Sequence, residues 1–196
     1  MKSLLVDDEF YAKLKSYAVF IPLIEIDGED HILFEVRSKN IAQPGEVSFP
    51  GGRLEEGEDF KDAALRETME ELLISKEDIE YLGYSSMILN SSFRHIKSFY
   101  GRIKKKIEDI KYNEEVESIF AVKVSYFVDK PPIRYRAPYK MDFPKDFPFD
   151  KIPRGRDYEF TTGYHDMYFY DTNPVIWGLT AKFLKNFIES WTKDER

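Results

Sequence analysis

Glu67, Glu70 and Glu71 lie within five positions of one short segment, and no other feature of the chain narrows its possible structures as much. The segment Asp59–Leu73 has helical periodicity. At about 100° per residue, Leu65, Thr68, Met69 and Leu72 follow one another at i, i+3, i+4 and i+7, which forms a core-facing stripe. The three glutamates then fall on the opposite side. Carboxylates at these spacings repel, each pair costing roughly 0.2–0.5 kcal/mol on a bare helix. Such a face is either a solvated acidic surface or a site for a hard divalent cation, which prefers carboxylate oxygens and offsets the repulsion. Periodicity alone leaves both open.

The flanking segments predict alternating strands and turns. Residues 17–26 and 31–37 are apolar runs separated by Asp27-Gly28-Glu29-Asp30, the pattern of a β-hairpin. Gly45–Phe49 reads as a short strand that stops at Pro50-Gly51-Gly52. Further β-like runs occupy 81–89, 95–103, 118–122 and 163–170, and an amphipathic helix covers 177–191. Residues 131–160 hold six of the ten prolines and seven aromatics with little periodicity, which predicts a long ordered loop or lid rather than a second domain. At 196 residues the whole chain, 1–196, is expected to form one domain.

The pattern around the acidic helix resembles the Nudix box, G-x5-E-x7-R-E-U-x-E-E-x-G-U, where U is a bulky apolar residue. Gly52, Glu58, Arg66, Glu67, Glu70, Glu71 and Ile74 stand at the required offsets. Six fixed identities coincide by chance in roughly one window in ten million at about 7% usage each. Two positions depart from the pattern. Thr68 replaces an aliphatic residue, a mild change on the core face. Leu73 replaces the glycine that usually ends the helix, so the turn is expected to differ or the helix to run longer.

A narrower resemblance is to the coenzyme A diphosphatase branch of that family, whose members resemble LLTxRS, a spacer, and a glycine before FPGG. Leu33-Phe34-Glu35-Val36-Arg37-Ser38 precedes Gly45-Glu46-Val47-Ser48-Phe49-Pro50-Gly51-Gly52, and Ile176-Trp177-Gly178-Leu179-Thr180-Ala181 looks like the IWGLTA segment that opens the last helix. The spacer is one residue short and lacks the expected arginine, with Ala42 nearby.

These resemblances imply an α/β fold, a Nudix-type α/β/α sandwich around a mixed β-sheet with the box as loop, helix, loop. They imply a diphosphatase that uses Mg²⁺ or Mn²⁺, held by Glu67, Glu70, Glu71 and the Gly52 carbonyl. The implied substrate is coenzyme A or an acyl-CoA, cut to 3′,5′-ADP and a 4′-phosphopantetheine product. ADP-ribose, NADH or another dinucleotide is the alternative substrate, and a nucleotide sensor without catalysis is the alternative function. Arg66 reads as a structural cation that pairs Glu58 or Glu70. For the general base, Glu115 leads among the acidic residues of Asn113–Glu117. Arg37, Ser38, Gly51 and Arg94 are candidates for holding the substrate. Arg134, Arg136, Arg154 and Arg156 are joined by Tyr135, Tyr139 and Phe143, which either stack on a nucleotide or form a surface between two copies in a homodimer.

Composition removes other classes. A chain without cysteine has no disulfide framework and no thiolate metal site. The net charge of −7 disfavours nucleic acid and anionic membranes as partners, and leaves a small nucleotide, met by local cations, as the expected one. The apolar stretch before Asp7 and Asp8 is too short for a secretory signal and no apolar run reaches membrane-spanning length, so the expected location is cytoplasmic.

Overall fold

The expected hairpin opens the fold. In the computed structural model, which describes residues 14–89, 94–138, 141–160 and 163–194, strand β1 (Lys15–Ile26) turns through Asp27 and Gly28 into β2 (Glu29–Arg37). Both turn residues have positive φ, 53° and 77°, the backbone twist that a two-residue hairpin requires. The next elements are β3 (Val47–Ser48), β4 (Gly51–Arg53), α1 (Phe60–Glu71), β5 (Ile79–Leu89), β6 (Arg94–Ile103) and β7 (Val116–Lys123). They are followed by α2 (Val124–Asp129), β8 (Ile133–Pro138), β9 (Tyr164–Tyr170), β10 (Ile176–Trp177) and α3 (Gly178–Asp194).

Seven of these strands form a mixed sheet. β1 runs parallel to β6 and antiparallel to β2, while β5 closes one side against β6 and β7 pairs with β2. The hairpin strands stay paired only from Leu23 to Ile26 with Glu29 to Ile32. Beyond that they diverge: β4 takes over the edge of β1 at Tyr17–Val19, and β3 takes over the edge of β2 at Glu35 and Val36. This split carries the glycines and the candidate acids to one place.

Side chains alternate across the sheet, as the period of two demands. Ile21, Leu23, Ile32 and Phe34 pack with Phe183, Leu184 and Phe187 of α3 and with Val124 and Phe127 of α2. Ala18 and Phe20 face the other way and meet Ala63 and Ala64 of α1; Ile24 and Leu33 meet Leu72 just beyond it. Helices on both faces of a mixed sheet give the expected α/β architecture.

Two elements differ from the sequence expectation. Gly51–Arg53 continues as a strand instead of ending at the glycines, because β1 offers an open edge there. The 131–160 segment begins with a strand, β8, which joins β9 and β10 in a second antiparallel sheet. Its Ile-Arg-Tyr-Arg-Ala-Pro sequence is largely exposed and lacks the apolar alternation that marks a half-buried strand; Arg134 and Arg136 instead pair across to Asp166. The rest of the segment wraps a small cluster in which Phe143 meets Phe147, Phe149 and Phe160 at centroid distances of 4.6–5.4 Å. Tyr139 lies outside the described residues.

Candidate functional site

Helix α1 starts at Asp59, whose side chain accepts a hydrogen bond from the Asp62 N–H at 2.9 Å. It ends in the turn that the box pattern assigns to glycine. Leu73 adopts a left-handed φ of 47°, and the Ile74 N–H reaches back to the Met69 carbonyl at 3.2 Å, so the turn survives without the glycine. Thr68, the other departure, is fully buried and its hydroxyl donates to the Ala64 carbonyl at 2.7 Å. Both substitutions leave the course of the helix intact.

The three glutamates do not share the face opposite the core, contrary to the expectation from periodicity. The buried stripe is Ala63, Ala64, Thr68 and Glu71, because the two alanines let the helix lie close on β1 and rotate Glu71 toward the sheet. Glu71 is 6% exposed, and its Oε2 accepts the Gly51 N–H at 2.8 Å. The Glu67 carboxylate lies over Gly52, where a Cβ would fall 2.1 Å from its Oε1. Glu70 is the outermost of the three, with its side chain 56% exposed.

Arg66 ties this arrangement together. Its Nε and Nη2 donate to the two Glu58 oxygens at 2.8 and 3.0 Å, a bidentate pair. Its Nη1 contacts Glu67 at 3.0 Å and Glu70 at 3.2 Å, and Nη2 also donates to the Arg53 carbonyl at 3.2 Å. The pair lowers the Glu58 pKa. Arg66 is thus the expected structural cation, and it serves Glu58 and Glu70 together.

The loop before β7 brings Glu115 to the same end of the helix. The Asn113 N–H donates to the Glu71 carbonyl at 2.9 Å, and the Ser38 N–H donates to the Glu115 carbonyl at 2.8 Å. Burial and the crowding of carboxyls both disfavour their charged forms. Burial, joined by the charges of Glu67 and Glu115, raises Glu71 to about 8 although the Gly51 N–H opposes the shift. Burial also raises Glu67, with Glu70 and Glu115 adding to it and Arg66 opposing it.

One acid in this group escaped the sequence reading. Glu35 of β2 is 2% exposed, its Oε1 has no hydrogen-bond partner, and its pKa is raised by burial and then by Glu71. The signal was a charged residue in an apolar strand, at the place where the LLTxRS-like motif has threonine.

A cleft of about 760 Å³, a volume suited to a nucleotide-sized ligand, opens against Gly51, the residue whose N–H donates to Glu71. Gly51, Arg37, Phe49, Tyr164, Trp177 and Lys182 are among its walls, whereas Glu35, Glu67, Glu70, Glu71 and Glu115 are not. Arg37 donates from Nε to the Ala42 carbonyl at 2.8 Å and acts electrostatically on Glu35 and Glu71. Ser38 is buried and its hydroxyl accepts from the Asn40 N–H at 3.4 Å, which turns it into its own loop. Arg94 stacks over Tyr17, 5.7 Å from the ring centroid, and is not among the cleft walls.

The Pro/aromatic segment contributes less to the cleft than expected. Arg134 and Arg136 are engaged by Asp166, Tyr135 packs edge-on to Phe169, and Arg156 lies 4.6 Å over Phe149. The cleft is walled instead by β9 and by the start of α3. Trp177 stacks on Phe169, and Thr180 donates to the Val47 carbonyl at 2.9 Å, which clamps α3 to β3.

Among the described residues, no three acidic or histidine side chains stand close enough, as arranged, to hold a metal ion. The donor chemistry nevertheless fits a hard divalent cation. Every candidate ligand is an oxygen, burial and then neighbouring carboxylates push two of the carboxyls toward their neutral forms, and one buried carboxyl oxygen is unpartnered.

A mixed sheet with helices on both faces, and a loop–helix–loop that sets carboxylates against the glycines of β4, define the Nudix architecture. The NUDIX domain family model matches residues 15–148, and the chain belongs to that family. "Nudix hydrolase 3" of Caenorhabditis elegans is 34% identical over 118 residues, which cover 58% of this chain and 49% of that protein. "Peroxisomal coenzyme A diphosphatase NUDT7" of Mus musculus is 28% identical over 130 residues, covering 64% of this chain and 55% of that protein. The chain thus spans about half the length of these curated relatives. Among solved structures, the Nudix hydrolase RenU of M. Smegmatis aligns with a TM-score of 0.50 at 15% identity, over 58% of this chain and 73% of that one, a likeness of fold. No helix among the described residues is long and apolar enough to cross a membrane.

Proposed function

We propose that the protein hydrolyses the pyrophosphate bond of a nucleoside-diphosphate derivative with a divalent cation, Mg²⁺ or Mn²⁺, and that its substrate is coenzyme A or an acyl-CoA. The observation that carries this reading is the gathering of Glu67, Glu71 and Glu115 by the Gly51–Gly52 strand, with Gly51 also in the wall of the 760 Å³ cleft. The substrate choice draws on the coenzyme A diphosphatase-like motifs, on the similarity to NUDT7, and on the cleft itself. That cleft offers cations, Arg37 and Lys182, for phosphates, and aromatic walls for a base and an apolar arm.

Glu67, Glu70, Glu71 and the Gly52 carbonyl would hold the cation, with Glu115 beside them. Bound there, it would neutralise the diphosphate and acidify a water molecule. The chain's own groups do the rest. Gly52 leaves room for the Glu67 carboxylate against β4, and Gly51 lets β4 lie close on β1 while its N–H holds Glu71. Arg37 faces the phosphates from the cleft. Glu115 takes the proton from the attacking water as the new P–O bond forms. The anhydride P–O bond breaks, and the leaving phosphate carries away the bonding pair.

Mass spectrometry of the products formed from coenzyme A in ¹⁸O-labelled water tests this reading. The expected products are 3′,5′-ADP and 4′-phosphopantetheine, one of them labelled. Cleavage of ADP-ribose or NADH in preference to coenzyme A would move the substrate assignment. Tight nucleotide binding without turnover across that panel would make the protein a sensor.

A further inference from the structure

Glu35 lies on neither the acidic helix nor the loop before β7, yet it is among the most enclosed carboxyls of the fold, 2% exposed with a bare Oε1. Its direction follows from the sheet. Leu33, two residues earlier on the same face of β2, packs against Leu72, so Glu35 reaches toward the helix end occupied by Glu71. It stands where β1 and β2 have separated and β3 has taken over the strand edge, opposite Ser48. Glu71 is fixed in that space by the Gly51 N–H, and Glu115 is fixed by the Ser38 N–H bonded to its carbonyl. Arg37, on the same strand, is the cation that acts on Glu35, but its Nε is spent on the Ala42 carbonyl.

A buried carboxyl with an unpartnered oxygen next to two further carboxyls is costly by itself, and a divalent cation relieves the cost. We infer that Glu35 lends its free oxygen to the divalent cation held at Glu71, as a ligand supplied by the sheet rather than by the helix. The inference rests on the cation-dependent reading above and extends it. It places one ligand on a strand paired on both edges, with Ser48 of β3 and Ile119 of β7 opposite Glu35.

Mn²⁺ titration without substrate tests it, by calorimetry and by the electron paramagnetic resonance of free Mn²⁺, on the wild type, Glu35→Gln, Glu35→Thr and Glu71→Gln. Both Glu35 variants are expected to bind Mn²⁺ at least about tenfold more weakly. Their metal-free forms should unfold at a higher temperature than the wild type, and Mn²⁺ should raise that temperature less. Threonine is the second variant because it suits a strand interior if glutamine misfolds. Unchanged Mn²⁺ affinity in both Glu35 variants, alongside weakened binding in Glu71→Gln, would overturn the inference and leave the cation site standing. Absence of saturable Mn²⁺ binding in the wild type, even with a nonhydrolysable diphosphate present, would remove both.

Discussion

The Glu67 carboxylate occupies the space that any side chain at Gly52 would need: a Cβ there would lie 2.1 Å from Oε1 and 2.6 Å from Oε2. Gly52→Ala is therefore expected to push the carboxylate off the strand while leaving the backbone in place, since the clash is with the end of a flexible side chain. Cation affinity should fall by about tenfold or more with little change in melting temperature. Gly51→Ala should behave differently. Its Cβ would meet the Ala18 backbone oxygen at 2.3 Å, at a φ of 156° that L residues avoid, so the loss should appear as about 1–3 kcal/mol of stability. Calorimetry of binding and of unfolding on the same two variants separates the effects.

Replacing Glu71 or Glu70 by glutamine keeps the shape and removes the charge. Each change is expected to lower kcat at least about a hundredfold, roughly 2.7 kcal/mol of barrier, with circular dichroism unchanged. Full activity in both variants would take these residues out of the metal site.

The metal-free protein should lose stability as pH rises. Glu71 titrates at about 8 in the fold against an ordinary value of 4.5, and Glu35 and Glu67 shift in the same direction. The folded state thus holds a proton that the unfolded chain has released. Its contribution is fully present below about 4.5 and is lost as pH climbs through about 8, a change on the order of a few kcal/mol. Melting curves in EDTA from pH 5 to 8.5 should fall across this window, and Mg²⁺ should flatten them by satisfying the ionised carboxylates. A profile in EDTA that is flat with pH would contradict the electrostatic account of the site.

Leu73 holds a left-handed φ of 47° with its side chain 54% exposed, so it strains the backbone while burying little. Leu73→Gly should stabilise the protein by about 1 kcal/mol, a rise of roughly 2–4 °C in Tm, without altering cation affinity. A lower Tm would show that the leucine packs more than its exposure implies.

Much of the site could be read in one dimension. The hairpin, the acidic helix and the Arg66–Glu70 pair follow from spacing and local chemistry, because residues one helical turn apart are set by the helix itself, and Arg66 as partner of Glu58 follows from the box offset. The β8 strand and the phenylalanine cluster could not be read this way. Arg134 and Arg136 find Asp166 some thirty residues later, and no local periodicity announces such a partner.

The amino-acid order by itself determined the family, the acidic helix and the oxygen-donor chemistry, since each depends on identities at fixed offsets. Only the tertiary structure decided which way each carboxylate points. Two alanines set the helix flat on β1 and turned Glu71 inward, while the separation of β1 from β2 left Glu35 enclosed beside it. The physical reason is that burial, and with it protonation and the pull on a cation, depends on close packing between segments far apart in the chain.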